Sequence, residues 1–449
     1  MDIAVIGGGA SGLTAAIAAA RNGAHVTVFE RNDKVGKKIL VTGNGKCNIS
    51  NMSLSEEYYY SEDRDFVVSA FNKFGLDDTL SFFKGLGLLL TEKRGGIYPY
   101  SEQASSVLDA LKFEAESLGV KFNSDCFVRE ITSCVGNDLE NVHYNVVYEK
   151  NIREINSVDN ACNTSDKRGR TIGKTSGKNT KQSKALVVSV ESLNALFDKV
   201  IVATGGKASP KSGSDGNGYR LVKKLGHSVT STYPALIGLK CKGEFWKSIS
   251  GVRCGAIVKL YADNTFIGED LGELQLTDYG ISGIPVFQIS RLAAKALGED
   301  KKVKAVVDFV PELSLEDAVS EGEFRFLLLS ERTKEQFFNG FINKKLVLML
   351  LKKLGMDADA RICKEDILKF WKLAKNFEVD VIGDNGFEQA QVTAGGVPLN
   401  EINGDFESVL HKGLYIVGEL LDVDGMCGGY NLQWAWTGGY IAGEAAAKC

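Results

Sequence analysis

Ile3-Ala4-Val5-Ile6 is an apolar run of strand length that ends on Gly7-Gly8-Gly9-Ala10-Ser11-Gly12, and the alanine-rich stretch Leu13 to Arg21 follows directly. A short apolar run that meets glycines reads as a buried strand, and the small side chains after them favour a helix. His25-Val26-Thr27-Val28-Phe29 then predicts a second strand. Between 54 and 120 apolar positions recur at helical spacing, predicting helices at Phe66 to Phe74, Thr79 to Leu86 and Ala104 to Leu118 that cover one sheet face. Gly119 to Phe122 and Asp125 to Ile131 read as short strands. The pattern lapses over 150–184, where Ser, Thr, Asn, Gly, Lys and Arg dominate, and a disordered excursion between two strands is expected there. It resumes in Lys199 to Val202, a strand running into Ala203-Thr204-Gly205-Gly206, and a helix is predicted at Tyr219 to Leu225.

From Pro234 to Pro311 the chain turns β-rich, with strands predicted at Ile257 to Ala262, Thr265 to Glu269, Glu273 to Thr277 and Val303 to Phe309. Residues 312–376 are charged and helical, with helices predicted at Glu323 to Ser330, Lys344 to Leu354 and Lys364 to Ala374. Neither half carries a motif. The last stretch brings the glycine turn Thr393-Ala394-Gly395-Gly396, the strand Gly413 to Val417 ending in Gly418-Glu419, and a helix from Asn431 to Ala447 with Asn431 as its cap.

The first turn is where chemistry enters. Read as Gly-x-Gly-x-x-Gly, Gly7 permits the tight turn, Gly9 leaves room for a pyrophosphate, and Gly12 lets the helix sit close on the strand. Phosphates would then meet the free N–H groups of a helix N-terminus, beside Ala10 and Ser11. Glu30 closes the second strand about 20 residues on, where an acid accepts ribose hydroxyls. An adenine dinucleotide is the ligand this spacing implies. In place of a further strand, Arg31 opens a long polar loop, Gly36-Lys37-Lys38-Ile39-Leu40-Val41-Thr42-Gly43-Asn44-Gly45-Lys46-Cys47-Asn48. A loop of that length has a function, and its glycines and amides suit a ligand reaching beyond the pyrophosphate, as FAD does.

This stretch resembles the signature of the BaiN and aminoacetone-oxidase-like family of FAD-dependent oxidoreductases. The resemblance, together with the Ala203-Thr204-Gly205-Gly206 and Gly418-Glu419 strand ends, implies an α/β fold. Its core is a Rossmann-like, glutathione-reductase-like FAD-binding domain divided between 1–225 and 385–449. A β-rich insert at 226–311 and 377–384, with a helical subdomain at 312–376, interrupts it and shapes the substrate pocket. The candidate cofactor residues are Gly7, Gly9, Ala10, Ser11, Gly12, Glu30, Arg31, Lys38, Asn44, Gly45, Cys47, Asn48, Val128, Thr204, Gly205, Gly418, Glu419 and Asn431. Val128 is expected to bring backbone near the adenine, and the helix after Gly428-Gly429 to point its N-terminus at the flavin. Cys47 stands where a disulfide reductase places the first of two redox cysteines, yet position 52 is Met, so packing is its expected role and catalysis the rival one.

Composition narrows the rest. The formal net charge of −4 gives no global attraction to nucleic acid or anionic lipid, so small-molecule partners are expected and nucleic acid and membrane are not. No apolar run approaches the about 18 residues of a membrane span. Nine cysteines without C-x-x-C spacing point to reduced thiols in the cytoplasm and to no metal site, and the four histidines are scattered. From Lys167 to Lys184 there are seven basic residues and no acid, but no interleaved aromatics to stack on bases, so a solvated tip is expected over an RNA-binding one.

No second strand, GxGxxG and helix unit is present, so NAD(P)H, if it is the donor, docks transiently. Members of the resembled family reduce conjugated enones, including 3-oxo-4,6-diene intermediates of bile acids, or oxidise amines with oxygen. The first reading is preferred because it needs one shared flavin face. A non-catalytic or RNA-associated flavin protein is the alternative of another class. Catalytic residues and oligomeric state are not legible.

Overall fold

A computed structural model describes residues 1–135, 142–155 and 186–448. The basic stretch from Lys167 to Lys184 lies outside the described residues, as does most of the excursion expected over 150–184, whose first residues, up to Ile155, instead end a strand. The centre is a parallel sheet of five strands: β1 (Asp2–Ile6), β2 (His25–Phe29), β3 (Lys121–Asn123), β7 (Lys199–Val202) and β14 (Leu414–Ile416), in the spatial order β14, β7, β1, β2, β3. Between β3 and β7 run β4 (Cys126–Val135), β5 (Val142–Ile155) and β6 (Leu186–Phe197), an antiparallel sheet of their own. Ile3, Val5, Val28, Val200, Val202, Leu414 and Ile416 are all buried, as strands covered on both faces require. On the antiparallel side Phe29 packs its ring 4.9 Å from Tyr148 and 5.7 Å from Phe197.

The helices covering the sheet are α1 (Ala10–Arg21), α2 (Arg64–Lys73), α3 (Leu76–Gly85), α4 (Ala104–Ser117) and, from the far end of the chain, α10 (Tyr430–Ala447), while the short α5 (Asn217–Lys224) follows β7. α1 and α10 cross closely because Gly439 and Gly443, one turn apart, carry no side chain. A Cβ on either would sit 2.3 Å from the carbonyl oxygen of Ser11 or Ala15. The C-terminal chain is thereby locked to the first helix.

The insert is a closed six-stranded barrel of β8 (Leu239–Cys241), β9 (Arg253–Ala262), β10 (Thr265–Leu276), β11 (Gly280–Gly283), β12 (Val303–Asp308) and β13 (Phe377–Asp384), ordered β8, β11, β10, β9, β12, β13. Alternation does the work: Phe377, Val379 and Val381 are buried between exposed Glu378, Asp380 and Ile382. Two sequence expectations change here. The strands predicted at Thr265 to Glu269 and Glu273 to Thr277 are one continuous strand, β10, because Gly268 and Gly272 do not break it. They make room for α6 (Ile284–Gly298), whose Leu292 and Pro285 lie 2.6 and 3.1 Å from where their Cβ atoms would be. That helix was not foreseen in a stretch read as β-rich. Pro285 in its first turn and buried Val286, Ile289 and Ala293 were its signals.

α7 (Leu315–Leu329), α8 (Lys344–Lys353) and α9 (Lys364–Lys375) stack on the barrel and share its core, where Phe338 and Phe370 stack at 3.8 Å beside Trp371. α7 starts earlier than predicted, since the Ser314 side chain accepts from the Asp317 N–H and caps it there. The chain passes between the parallel sheet and the barrel along two short antiparallel strands, Tyr233–Ala235 and Val392–Ala394. Among the described residues no helix is long and apolar enough to cross a membrane, and no group of three or more His, Cys, Asp or Glu side chains is placed to hold a metal ion.

Candidate functional site

One cavity of about 1080 Å³ runs along the carboxyl ends of the parallel strands and under the insert. That stands at the upper end of the roughly 300–1,000 Å³ of ordinary ligand pockets. Its floor is the first turn, where three glycines are needed for three reasons. Gly7 has φ +107° and its Cβ would lie 2.5 Å from the Ala203 carbonyl oxygen, so the turn presses on β7. A Cβ on Gly12 would lie 1.9 Å from the Gly7 oxygen, so α1 presses on the turn. A Cβ on Gly9 would meet nothing within 4 Å: it faces the cavity. No side chain caps α1, which leaves its first N–H groups available for a ligand.

Glu30 is buried at the end of β2. Its Oε2 accepts from the Gly8 N–H at 3.0 Å, and its Oε1 from the Asn32 backbone and side-chain N–H groups at 2.8 Å. Desolvation raises its pKa against these bonds and the nearby Arg31 charge. The acid therefore braces the turn as well as facing the cavity. At this end Arg31 pairs with Asp215 at 2.5 Å and lies over the Phe127 ring at 4.9 Å, and the Val128 carbonyl accepts from Asn217 at 3.2 Å.

Toward the other end, Lys38 Nζ meets Glu419 Oε2 at 2.6 Å, and Glu419 Oε1 accepts from the Thr393 N–H at 2.9 Å. Gly43 and Asn44, both left-handed at φ +54° and +55°, fold the loop back along the wall. Asn48 follows, its Oδ1 buried and without a hydrogen-bond partner. Gly96 and Gly429 approach it so closely that a Cβ on either would stand 3.0 Å from that oxygen. α10 begins here at Tyr430, with Gly429 at the cap position and no side-chain cap. The expectation that Asn431 caps this helix is corrected: its side chain bonds the Gly425 N–H and C=O at 2.8 and 2.6 Å and folds the preceding turn instead.

Of the residues singled out from sequence, Gly7, Gly9, Ala10, Ser11, Glu30, Arg31, Lys38, Asn44, Asn48, Val128, Thr204, Gly205, Glu419 and Asn431 line the cavity. Gly12, Gly45, Cys47 and Gly418 do not. A Cβ on Gly418 would lie 2.6 Å from Ser11 Oγ, so it packs against the start of α1. Cys47 is fully buried behind the wall, and burial pushes its thiol up to about 12 despite a hydrogen bond with Thr42. Residues that sequence reasoning missed include the apolar Leu236, Ile284, Phe287, Val392 and Met426, and the polar Lys46, Lys93, Arg94, Tyr98 and Glu102. The apolar ones look like core in a sequence, and the Arg94-Gly95 tip has no Asn or Asp before its glycine to mark the hairpin.

The residues present fit FAD: an uncapped helix start above a bare glycine, a buried acid at the second strand's end, and an orphaned amide oxygen beside a second uncapped helix. Fold and cavity define a Rossmann-type FAD-dependent oxidoreductase. The chain belongs to the HI0933-like family, whose model, described as the HI0933-like protein Rossmann domain, matches residues 1–150 and 147–445. It is 38% identical over 99% of both chains to a 3-dehydro-bile acid delta(4,6)-reductase of Clostridium scindens. It is 26% identical, over 99% of this chain and 98% of the other, to a ribosomal RNA dihydrouridine synthase of Haemophilus influenzae. In fold it matches the 3-ketosteroid delta1-dehydrogenase of Sterolibacterium denitrificans with a TM-score of 0.50 at 13% identity, covering 99% of each chain.

Proposed function

We propose that this protein reduces a carbon–carbon double bond conjugated to a ketone on a flat, apolar substrate of the 3-oxo-4,6-diene steroid type, with NAD(P)H as transient donor. The observation that carries this is the continuity of the cavity from the glycine turn to the apolar wall of Leu236, Ile284, Phe287, Val392 and Met426. The relative named as a bile-acid delta(4,6)-reductase supports it.

In this reading Gly9 and the α1 N-terminus cradle the pyrophosphate, and Glu30 accepts from the ribose. Arg31, Phe127 and Val128 border the adenine, and Asn48 and Asn431 border the ring. When bound, the flavin supplies hydride to the β-carbon of the enone. The chain's own part is to hold the substrate flat and dry against the insert wall and to place a donor at its carbonyl. Tyr98 is the donor we assign: burial raises its pKa, so the phenol keeps its proton at neutral pH. Cys47, Cys126, Cys241, Cys254, Cys363 and Cys427 are free thiols, which supports a reducing, cytoplasmic setting.

The test is anaerobic. Purified yellow protein should bleach with NADH or NADPH and recover its colour on adding a 3-oxo-4,6-diene steroid. Bleaching by an aminoketone in place of the nicotinamide, with colour restored by admitting oxygen and not by the steroid, would select the amine-oxidase reading. A second reading has its own support: the relatives named ribosomal RNA dihydrouridine synthase point to reduction of a uracil ring, whose double bond is also conjugated to a carbonyl. Recovery with an rRNA fragment would select it.

A further inference from the structure

Six cations line the cavity, and they are not equally neutralised. Arg31 faces Asp215, Lys38 faces Glu419, and Lys37 is 2.7 Å from Asp33. Lys46 and Lys93 converge on one carboxylate, Glu102, which they hold ionised with its pKa lowered to about 2. Arg94 has no carboxylate within ion-pair distance among the described residues. At this one place three cations share a single acid, and Lys46 and Lys93 remain half exposed.

The backbone is built to present them. Leu90–Lys93 and Gly96–Pro99 form a hairpin whose two-residue tip is Arg94-Gly95, with φ of +53° and +84°. Such a turn favours Asn or Asp before Gly, and an arginine there is strained. Glu102, facing the hairpin, is left-handed as well, at φ +52°. Two strained charged residues at a cavity mouth point to a binding role rather than to folding. The hairpin also carries Gly96 and Tyr98, so it stands at the Asn48 and Gly429 end of the cavity, away from the Arg31 end.

We infer that this hairpin, with Arg94 at its tip and Lys93 and Lys46 behind it, is an anion-recognition finger for a small ligand entering the reacting end of the cavity. The shared chemistry is a phosphate or carboxylate, and two sources fit: the phosphates of a nicotinamide dinucleotide, or the acidic tail of the substrate. This rests on the reductase reading, in which a donor without its own glycine-turn unit must find cations elsewhere.

The experiment uses purified full-length protein and Arg94→Asn, with Lys93→Gln/Arg94→Gln as the second variant. Asn suits the left-handed tip, so Arg94→Asn should melt no lower than wild type. Calorimetric titrations with NADP⁺, NAD⁺, cholate and neutral methyl cholate are compared at low and high salt. Both variants should bind one anion class at least about tenfold more weakly, the loss of a charge-assisted hydrogen bond, with methyl cholate unaffected and the wild-type salt dependence reduced. Loss confined to the dinucleotides assigns the finger to the donor, and loss confined to cholate assigns it to the substrate. Unchanged affinity for all anions overturns the inference, as does loss of rRNA-fragment retention with small anions unaffected. Flavin absorbance of the same samples reports on the cofactor reading separately.

Discussion

Lys38 Nζ and Glu419 Oε2 lie 2.6 Å apart although the residues are 381 positions apart in the chain. The pair joins the loop after β2 to the end of β14 across the cavity wall, with only 25% and 19% of the two side chains exposed. Surface pairs contribute about 0–1 kcal/mol, and partial burial makes removal of one partner more costly because the other charge is left unpaired. Lys38→Met should lower the melting temperature modestly and lower flavin content in the purified protein. Unchanged flavin content at unchanged stability would show that the pair does not shape the site.

Gly9 and Gly12 separate ligand space from fold space. Gly9→Val should give folded, flavin-free protein, because the new side chain enters the cavity and touches no backbone. Gly12→Ala should impair folding, because its methyl group meets the Gly7 oxygen at 1.9 Å. Circular dichroism and flavin absorbance on both variants check this; full flavin in Gly9→Val contradicts the assignment of the turn.

Glu30→Ala removes an acceptor from the Gly8 and Asn32 N–H groups as well as from the ligand. Flavin affinity should fall by about 1.5–3 kcal/mol, the scale of a hydrogen bond to a charged group, and apo-protein stability should fall too. Equilibrium dialysis and thermal melts separate the two effects.

Much of this was legible because the fingerprint is local. Gly7, Gly9, Gly12 and Glu30 are fixed by the geometry of one turn, and β1, α1 and β2 follow from it. The site beyond them depends on long-range placement: Phe287, Met426 and Val392 meet only because the insert folds over the sheet, and an apolar residue facing a cavity has the same sequence pattern as one facing a core. α6 was missed because its surroundings are strands, although Pro285 and the spacing of Val286, Ile289 and Ala293 were there to read. Asn431 was misassigned as a cap because an Asn near a helix start has two local uses, and only the Gly425 contacts distinguish them.

Asp424 is buried against Arg291, 3.0 Å away, and burial raises its pKa to about 7, with Asp422 adding to the rise and Arg291 opposing it. A folded-state pKa above the unfolded value means that the folded protein binds the proton more tightly. The Asp424 contribution to stability is therefore full below about pH 4 and is lost as pH rises through about 7. The melting temperature of wild type should fall between about pH 4 and 7 more than that of Asp424→Asn. Parallel melting profiles would remove Asp424 from this role.

Cys47→Ser should retain flavin and turnover, since a buried thiol pushed up to about 12 is neither nucleophile nor redox partner at neutral pH. Asn48→Ala, which deletes the orphaned oxygen, should do more damage. Loss of turnover in Cys47→Ser with a normal flavin spectrum would establish thiol chemistry.

The chain enters and leaves the barrel along Tyr233–Ala235 and Val392–Ala394, which are paired antiparallel. Paired strands lie about 5 Å apart, so both ends of the inserted segment emerge side by side from one doorway. Any autonomous unit whose termini meet at that spacing fits the same doorway without moving the glycine turn or the helix behind it. The architecture thus makes the barrel an exchangeable cartridge, and on the function proposed above related chains can diverge in what they reduce while keeping the glycine turn and its helix.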